Sequence, residues 1–358
     1  MSQVVRSLAN MTAHRNRELL DLALAEALMD VMAPECIVFV TAVAQDDQTR
    51  WLERACFERG KPPKLVDPMW ADFSSLAEVG AFPVRWACVQ TGAIQHVPSG
   101  PGNGLHVTLF PIQGESSVES VLEVHSSEPA NPRMLEVVHS MQKVYRNMQS
   151  LLDYSERDSL TGLLNRKSFD DAFFKALSHQ GRTDASATDL ADSESGSPVP
   201  HERRESLSAD GYWLGMLDID HFKQVNDNFG HMIGDEVLLL VARLMRHGFR
   251  FHDRLYRFGG EEFVVLMRCP DAETAFAVFD RFRQSMEAFA FPQVGRITVS
   301  IGISQLMPSD IPALALDRAD HAVYAAKSGG RNRVIDHAEL VRQGQASATV
   351  KSGDIELF

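Results

Sequence analysis

The stretch RLYRFGGEEFVVLM, Arg254 to Met267, places two glycines and two glutamates between two strongly apolar runs. RLYRF and EFVVLM read as the arms of a β-hairpin, because a Gly-Gly pair between strand-like segments is a strong turn signal. Glu261 and Glu262 then stand side by side at the tip. Two readings are open at this point: a solvated turn, or a metal site. The flanking segments have to separate them.

Upstream, WLGMLDI (213–219) reads as a buried strand and GDEVLLLVARLMRHGF (234–249) as an amphipathic helix. Downstream, DAETAFAVFDRFRQSMEAF (271–289) is a helix and RITVSIGISQL (296–306) a strand. PALALDRADHAVYAAKSGG (312–330) is a final helix with a glycine stop. The strand before the hairpin ends in LDIDHFKQVNDNFGH, with Asp218 and Asp220 pointing the same way if the strand runs through both. Asp220 has a simple alternative as a helix cap. Asp218 lies among Met216, Leu217 and Ile219, and a buried carboxylate needs a cation or metal partner. The Glu261–Glu262 pair is its natural complement, and carboxylates with phosphate oxygens are how Mg²⁺ is usually held. Lys327 and Arg331, at i and i+4 on the final helix, either complement its dipole or bind nucleotide phosphates. No GxxxxGK[ST] loop is present, which argues against a P-loop nucleotidase.

The chain has 358 residues, 44% of them hydrophobic, enough for two domains with their own cores. A net charge of −13 argues against a general nucleic-acid binder. Cys36, Cys56, Cys88 and Cys269 are scattered and signal neither a disulfide framework nor a zinc site. No apolar run is long enough for a membrane span, and no leader pattern opens the chain, so a soluble cytoplasmic protein without a membrane partner is expected.

The N-terminal part reads as a helix over 5–31, a buried strand CIVFVTAV (36–43), a turn cluster PSGPGNG (98–104) and two further strands. Met134, Val137, Met141, Val144, Met148 and Leu151 then alternate at spacings of three and four. This predicts a parallel dimeric coiled coil, with a helix packed on its own domain as the alternative. Residues 181–210, rich in Ser, Asp and Glu, read as a disordered insertion. The expected layout is a domain over 1–131, a signalling helix over 132–157, a second domain over 158–340 and a flexible tail over 341–358.

The second domain resembles a GGDEF domain, the catalytic domain of diguanylate cyclases. The resemblance rests on DSLTGLLNR (158–166), LDIDHFKQVNDNFGHMIGDEVL (217–238), RFGGEEF (257–263) and AAKSGGRN (325–332). Glu261 stands where Asp is commoner. The resemblance implies an α+β protein of two α/β-type domains, the second with the nucleotidyl-cyclase fold. It implies one GTP and two Mg²⁺ or Mn²⁺ ions per active site, held by Asp218, the Ile219 carbonyl and Glu261. Asn226 and Asp235 would read guanine, His231 would contact the nucleotide, and the backbone amides of Phe222 and Lys223 would meet the phosphates with Lys327 and Arg331. Glu262 would assist deprotonation of the 3′-hydroxyl. A homodimer would make cyclic di-GMP and two pyrophosphates. Arg250 and Asp253 match the family's RxxD site for inhibition by product. The alternative is a non-catalytic cyclic di-GMP receptor acting through that site.

The N-terminal domain resembles a GAF sensor in layout only, with a PAS-like or purely dimerising domain as alternatives. No motif names its signal ligand. His96, His106 and His125 are candidate haem or metal ligands there, against an ordinary structural role.

Overall fold

The computed structural model describes residues 9, 11–13, 16–45, 47–98, 104–113, 118–188 and 211–346. The chain divides into two units, Met1–Ser155 and Glu156–Phe358. Among the described residues no helix is long and apolar enough to cross a membrane.

In the first unit, helix α1 spans Arg17–Met32. The helix expected over 5–31 is divided and not continuous: residues 9 and 11–13 are also helical, and the Asn16 side chain accepts from the Glu18 amide and caps a fresh N-terminus there. Strands β1 (Cys36–Gln45) and β2 (Gln48–Glu58) form a hairpin, with short β3 (Lys64–Leu65) and β4 (Ala77–Glu78) pairing with β2. Helix α2 (Pro83–Thr91) precedes β5 (Gln95–Val97), β6 (His106–Gln113) and β7 (Val118–Ser126), and the sheet runs β3-β2-β1-β7-β6-β5. One sheet face packs against α1 and the long helix α3 (Pro132–Glu156) around Leu24, Phe39, Phe110, Leu122 and Met141.

That packing corrects the expected dimer seam. Met141 is fully buried, and Val137, Val144 and Met148 pack against the same core, so most of the stripe is spent inside its own unit. Only Leu151 of the six is exposed, together with its neighbour Tyr154. The Tyr145 hydroxyl donates to the buried Asp21, which also pairs with Arg54 at 3.1 Å. The histidines do not gather into a ligand set. His106 lies opposite Ser126 and His125 opposite Val107, so the two histidines face opposite sides of the sheet. His96 contacts Thr108 and His125 approaches Glu123 at 3.6 Å.

The second unit is built on a six-stranded sheet, β15-β14-β9-β11-β10-β8. Its strands are β8 (Leu164–Asn165), β9 (Gly211–Ile219), β10 (Arg254–Gly259), β11 (Glu262–Cys269), β14 (Val299–Gln305) and β15 (Val334–Asp336), with β12 (Ala290–Phe291) and β13 (Gly295–Arg296) forming a separate ribbon. Every residue of β9 is buried, as its central place between β11 and β14 requires. Helix α4 (Phe169–Thr188) runs into the expected insertion, so 181–188 are helical; the remaining 189–210 lie outside the described residues, as does the tail beyond 346. Helices α5 (Phe222–Phe229) and α6 (His231–Gly248) follow β9, and α7 (Ala272–Ala288), capped by Asp271, follows β11. Helix α8 (Pro312–Ser328) packs on β14 and β9, and α9 (His337–Arg342) comes after β15. The β15 strand and α9 went unread in the sequence.

Candidate active site

The hairpin forms where expected. Glu262 opens β11 directly opposite Asp218 of β9, which faces Ser300 of β14 on its other side. Gly260 at the turn has φ 48°, a left-handed backbone that costs glycine little. A clamp holds the turn from behind. Arg257 donates to the Gly260 carbonyl at 2.8 and 3.2 Å, and its Nη1 forks onto both oxygens of Asp158 at 3.0 and 3.2 Å. Asp158 also accepts the Thr161 amide and hydroxyl at 2.8 and 2.7 Å. Burial would raise its carboxyl, but these bonds and Arg257 outweigh it and hold it below the usual range. The DSLT turn thus aims the tip that carries Glu261. Neither segment, DSLT or RFGG, carries a local signal of this link.

Three carboxylates converge on the open end of β9. Burial pushes Asp218, Glu261 and Glu262 above the usual carboxylate range. The charge of Asp218 raises both glutamates further, and Lys327 opposes the shift at all three. Lys327 Nζ sits 2.7 Å from Asp218 Oδ2. This ammonium occupies a place beside Asp218 where any cation would be stabilised, which is the chemistry expected of a metal-binding edge. Among the described residues, no three His, Cys, Asp or Glu side chains close into a ready cage. A pair of carboxylates completed by phosphate oxygens is the ordinary arrangement for Mg²⁺, so the donor set fits that ion. Asp320 was missed. It lies seven residues before Lys327 on α8, hence on the same helix face, and its charge raises Asp218 and Glu262.

Lys327 and Arg331 do not share the helix face expected of them. Helix α8 stops at Ser328, and Gly329–Gly330 lead Arg331 into a left-handed turn with φ 65°. Arg331 is exposed there, and its amide donates to the Ala326 carbonyl at 2.9 Å. Asp220 diverges from Asp218 because β9 ends at Ile219. Its side chain accepts from Thr298, Ser300 and the Asn332 amide.

Phe222 and Lys223 occupy the first turn of α5, where helix amides lack intrahelical acceptors; the Phe222 ring itself is buried. Asn226 lies one turn on, its Oδ1 packed over Gly234 so closely that a Cβ there would lie 2.0 Å away. His231 and Asp235, both exposed and four apart on α6, share a face beside it. Arg250 is exposed, but Asp253 is not presented alongside it. Its side chain turns inward to accept the Arg250 amide at 2.8 Å, and burial pushes its carboxyl up to about 6.

An acidic strand end facing a basic helix-end turn, on a mostly antiparallel sheet, defines an α+β domain suited to a phosphorylated ligand. Residues 203–333 match the family model described as diguanylate cyclase, GGDEF domain. Diguanylate cyclase DgcM of Escherichia coli K12 is 32% identical over 202 residues, covering 56% of this chain and 43% of that protein. Diguanylate cyclase A of Treponema denticola is 31% identical over 220 residues, covering 60% and 53%. The crystal structure of the coiled coil and GGDEF domain of DgcB from Caulobacter crescentus, in complex with c-di-GMP, is 27% identical, covers 57% of this chain and 97% of that one, and superposes with a TM-score of 0.44. The chain spans about half the length of these curated relatives. The second unit therefore carries a GGDEF domain, over the residues that the family model matches.

Proposed function

We propose that the protein is a diguanylate cyclase that condenses two GTP molecules into cyclic di-GMP and two pyrophosphates, working as a homodimer in the cytoplasm. The single observation that carries this reading is the opposition of Asp218 and Glu262 across β9 and β11, with Glu261 at the tip beside them. Asp218, the Ile219 carbonyl and Glu261 would hold two Mg²⁺ or Mn²⁺ ions. Bound there, the ions supply charge neutralisation between carboxylates and phosphates. Asn226 and Asp235 read the guanine edge with amide and carboxylate, and His231 lies beside them. The α5 amides of Phe222 and Lys223, with Lys327 and Arg331, receive the phosphates. Glu262, its carboxyl raised by burial and by Asp218, accepts the proton of the attacking 3′-hydroxyl.

The first unit serves as a GAF-like sensor and dimerisation module, its helix α3 leading to the cyclase. Its signal is a ligand of unassigned chemistry. The exposed Arg250, with Asp253 behind it, forms an inhibitory product site; this favours feedback control over a purely receptive role, because the signature carboxylates are intact. The test is direct. Purified protein is incubated with GTP and Mg²⁺ and the products are separated by chromatography. Cyclic di-GMP and pyrophosphate in a 1:2 ratio are expected, and their absence at every Mg²⁺ and Mn²⁺ concentration tried refutes the proposal.

A further inference from the structure

We propose that Asp220 is a positioning residue for nucleotide binding: it holds the turn that presents Arg331. This rests on reading Arg331 as a phosphate-binding group. Asp220 is 5% exposed and has no basic partner among the described residues, its side chain being satisfied by hydroxyls and a backbone amide. Its Oδ2 accepts the Thr298 hydroxyl at 2.7 Å and the Asn332 amide at 3.1 Å, while Oδ1 accepts the Ser300 hydroxyl at 2.7 Å. Its own amide donates to the Thr298 carbonyl at 2.9 Å, so backbone and side chain are both fixed to β14's edge. A carboxylate satisfied by hydroxyls alone would be a simple staple for two strands. The third donor is what differs, because it comes from the residue directly after Arg331.

That segment is strained. Arg331 and Asn332 have φ of 65° and 44°, two consecutive left-handed non-glycine residues immediately after two glycines. Such a backbone persists only where its surroundings over-determine it, and strain of this kind gathers at ligand sites. Hydrogen bonds hold it from several sides: Arg331 N–H to the Ala326 carbonyl, Arg333 Nε to the Arg331 carbonyl at 3.1 Å, Arg283 to the Asn332 side chain at 3.0 Å, and the Asn332 amide to Asp220. Among the charged side chains that hold the Asn332 end, Asp220 is the more buried, and it belongs to the segment that follows the Asp218 strand. It therefore ties the basic side of the cleft to the acidic side, setting where the guanidinium sits relative to the carboxylates.

The test is a double-mutant cycle read by GTP binding. Asp220→Asn, Arg331→Ala and the double variant are titrated with GTP and Mg²⁺, with KM, kcat and the half-saturating Mg²⁺ measured alongside. Asp220→Asn should weaken GTP binding about tenfold, the loss expected for one charge-assisted hydrogen bond. It should leave kcat within about threefold and the Mg²⁺ requirement unmoved, and it should add nothing in the Arg331→Ala background. Additive losses, or a shifted Mg²⁺ requirement with GTP affinity intact, overturn the inference. If Asp220→Asn does not fold, Thr298→Val replaces it in the same cycle under the same criteria, with a smaller expected loss. Wild-type protein that binds GTP without making cyclic di-GMP refutes the cyclase reading but leaves the cycle readable. Wild type that binds no GTP refutes both.

Discussion

Replacing Asp253 by Asn should stabilise the second unit, and do so more at high pH than at low. Asp253 is shut away from solvent, and burial lifts its carboxyl from 3.8 to about 6 against the pull of Arg250 and other nearby arginines. In the unfolded chain it would titrate near the ordinary value. Between those two pH values the folded state holds the extra proton, so stability falls as pH rises through the interval. Above the folded value the whole penalty applies. A difference of about 2 units converts to a ceiling of about 3 kcal/mol at pH 8, shrinking to roughly half that at pH 5. Asparagine keeps an oxygen for the Arg250 amide and never ionises. Urea unfolding, read by hydrogen exchange of peptides from β9 to β11, isolates this unit from the first. A gain for Asp253→Asn that is independent of pH, or a loss at pH 8, would refute the reasoning and mean that the carboxylate is compensated where it lies.

Asp218→Asn should cut cyclase turnover by at least about 100-fold, the scale of one lost electrostatic contact in a transition state, as measured by initial rates at saturating Mg²⁺. Gly234→Ala should raise KM for GTP by about tenfold, because the new Cβ displaces the Asn226 side chain; an unchanged KM would remove Asn226 from guanine recognition. Met141→Lys should destabilise the first unit by roughly 4 kcal/mol or more, since it buries a charge in the core, whereas Leu151→Lys should leave its melting temperature unchanged and alter only sedimentation, if α3 pairs between protomers. Arg250→Ala should abolish inhibition by added cyclic di-GMP while leaving the initial rate nearly intact; equal inhibition of both proteins returns Arg250 to the role of an ordinary surface charge.

What the sequence made legible was period and punctuation. The all-buried strand over Gly211–Ile219, the Gly-Gly hairpin and the capped α7 each carry a local signal strong enough to survive tertiary packing. That the hairpin tip complements Asp218 was readable as chemistry, because a buried carboxylate calls for a partner, but the register that sets Glu262 opposite it was not, since two helices and β10 separate the two strands. The failures share a cause: a pattern names a face but not what covers it. The stripe through Met141 is periodic whether a second chain or the unit's own sheet buries it, and here α1 and the sheet were available first. The helix over Phe169–Thr188 ran into the expected insertion, since Ala185 and Ala187 favour helix where Ser and Asp composition had suggested none. Lys327 and Arg331 look like helix neighbours by spacing alone, but the Gly329–Gly330 stop falls between them, and that ending is what separates them. Lys327 then stays with the Asp218 cluster, while Arg331 rides a strained turn tied to Asp220, just past the end of β9. The types of group in the cleft were therefore readable from the chain. Which group restrains which depends on contacts far apart in sequence, such as Asp158 to Arg257 and Asp220 to Asn332, and no local pattern records those.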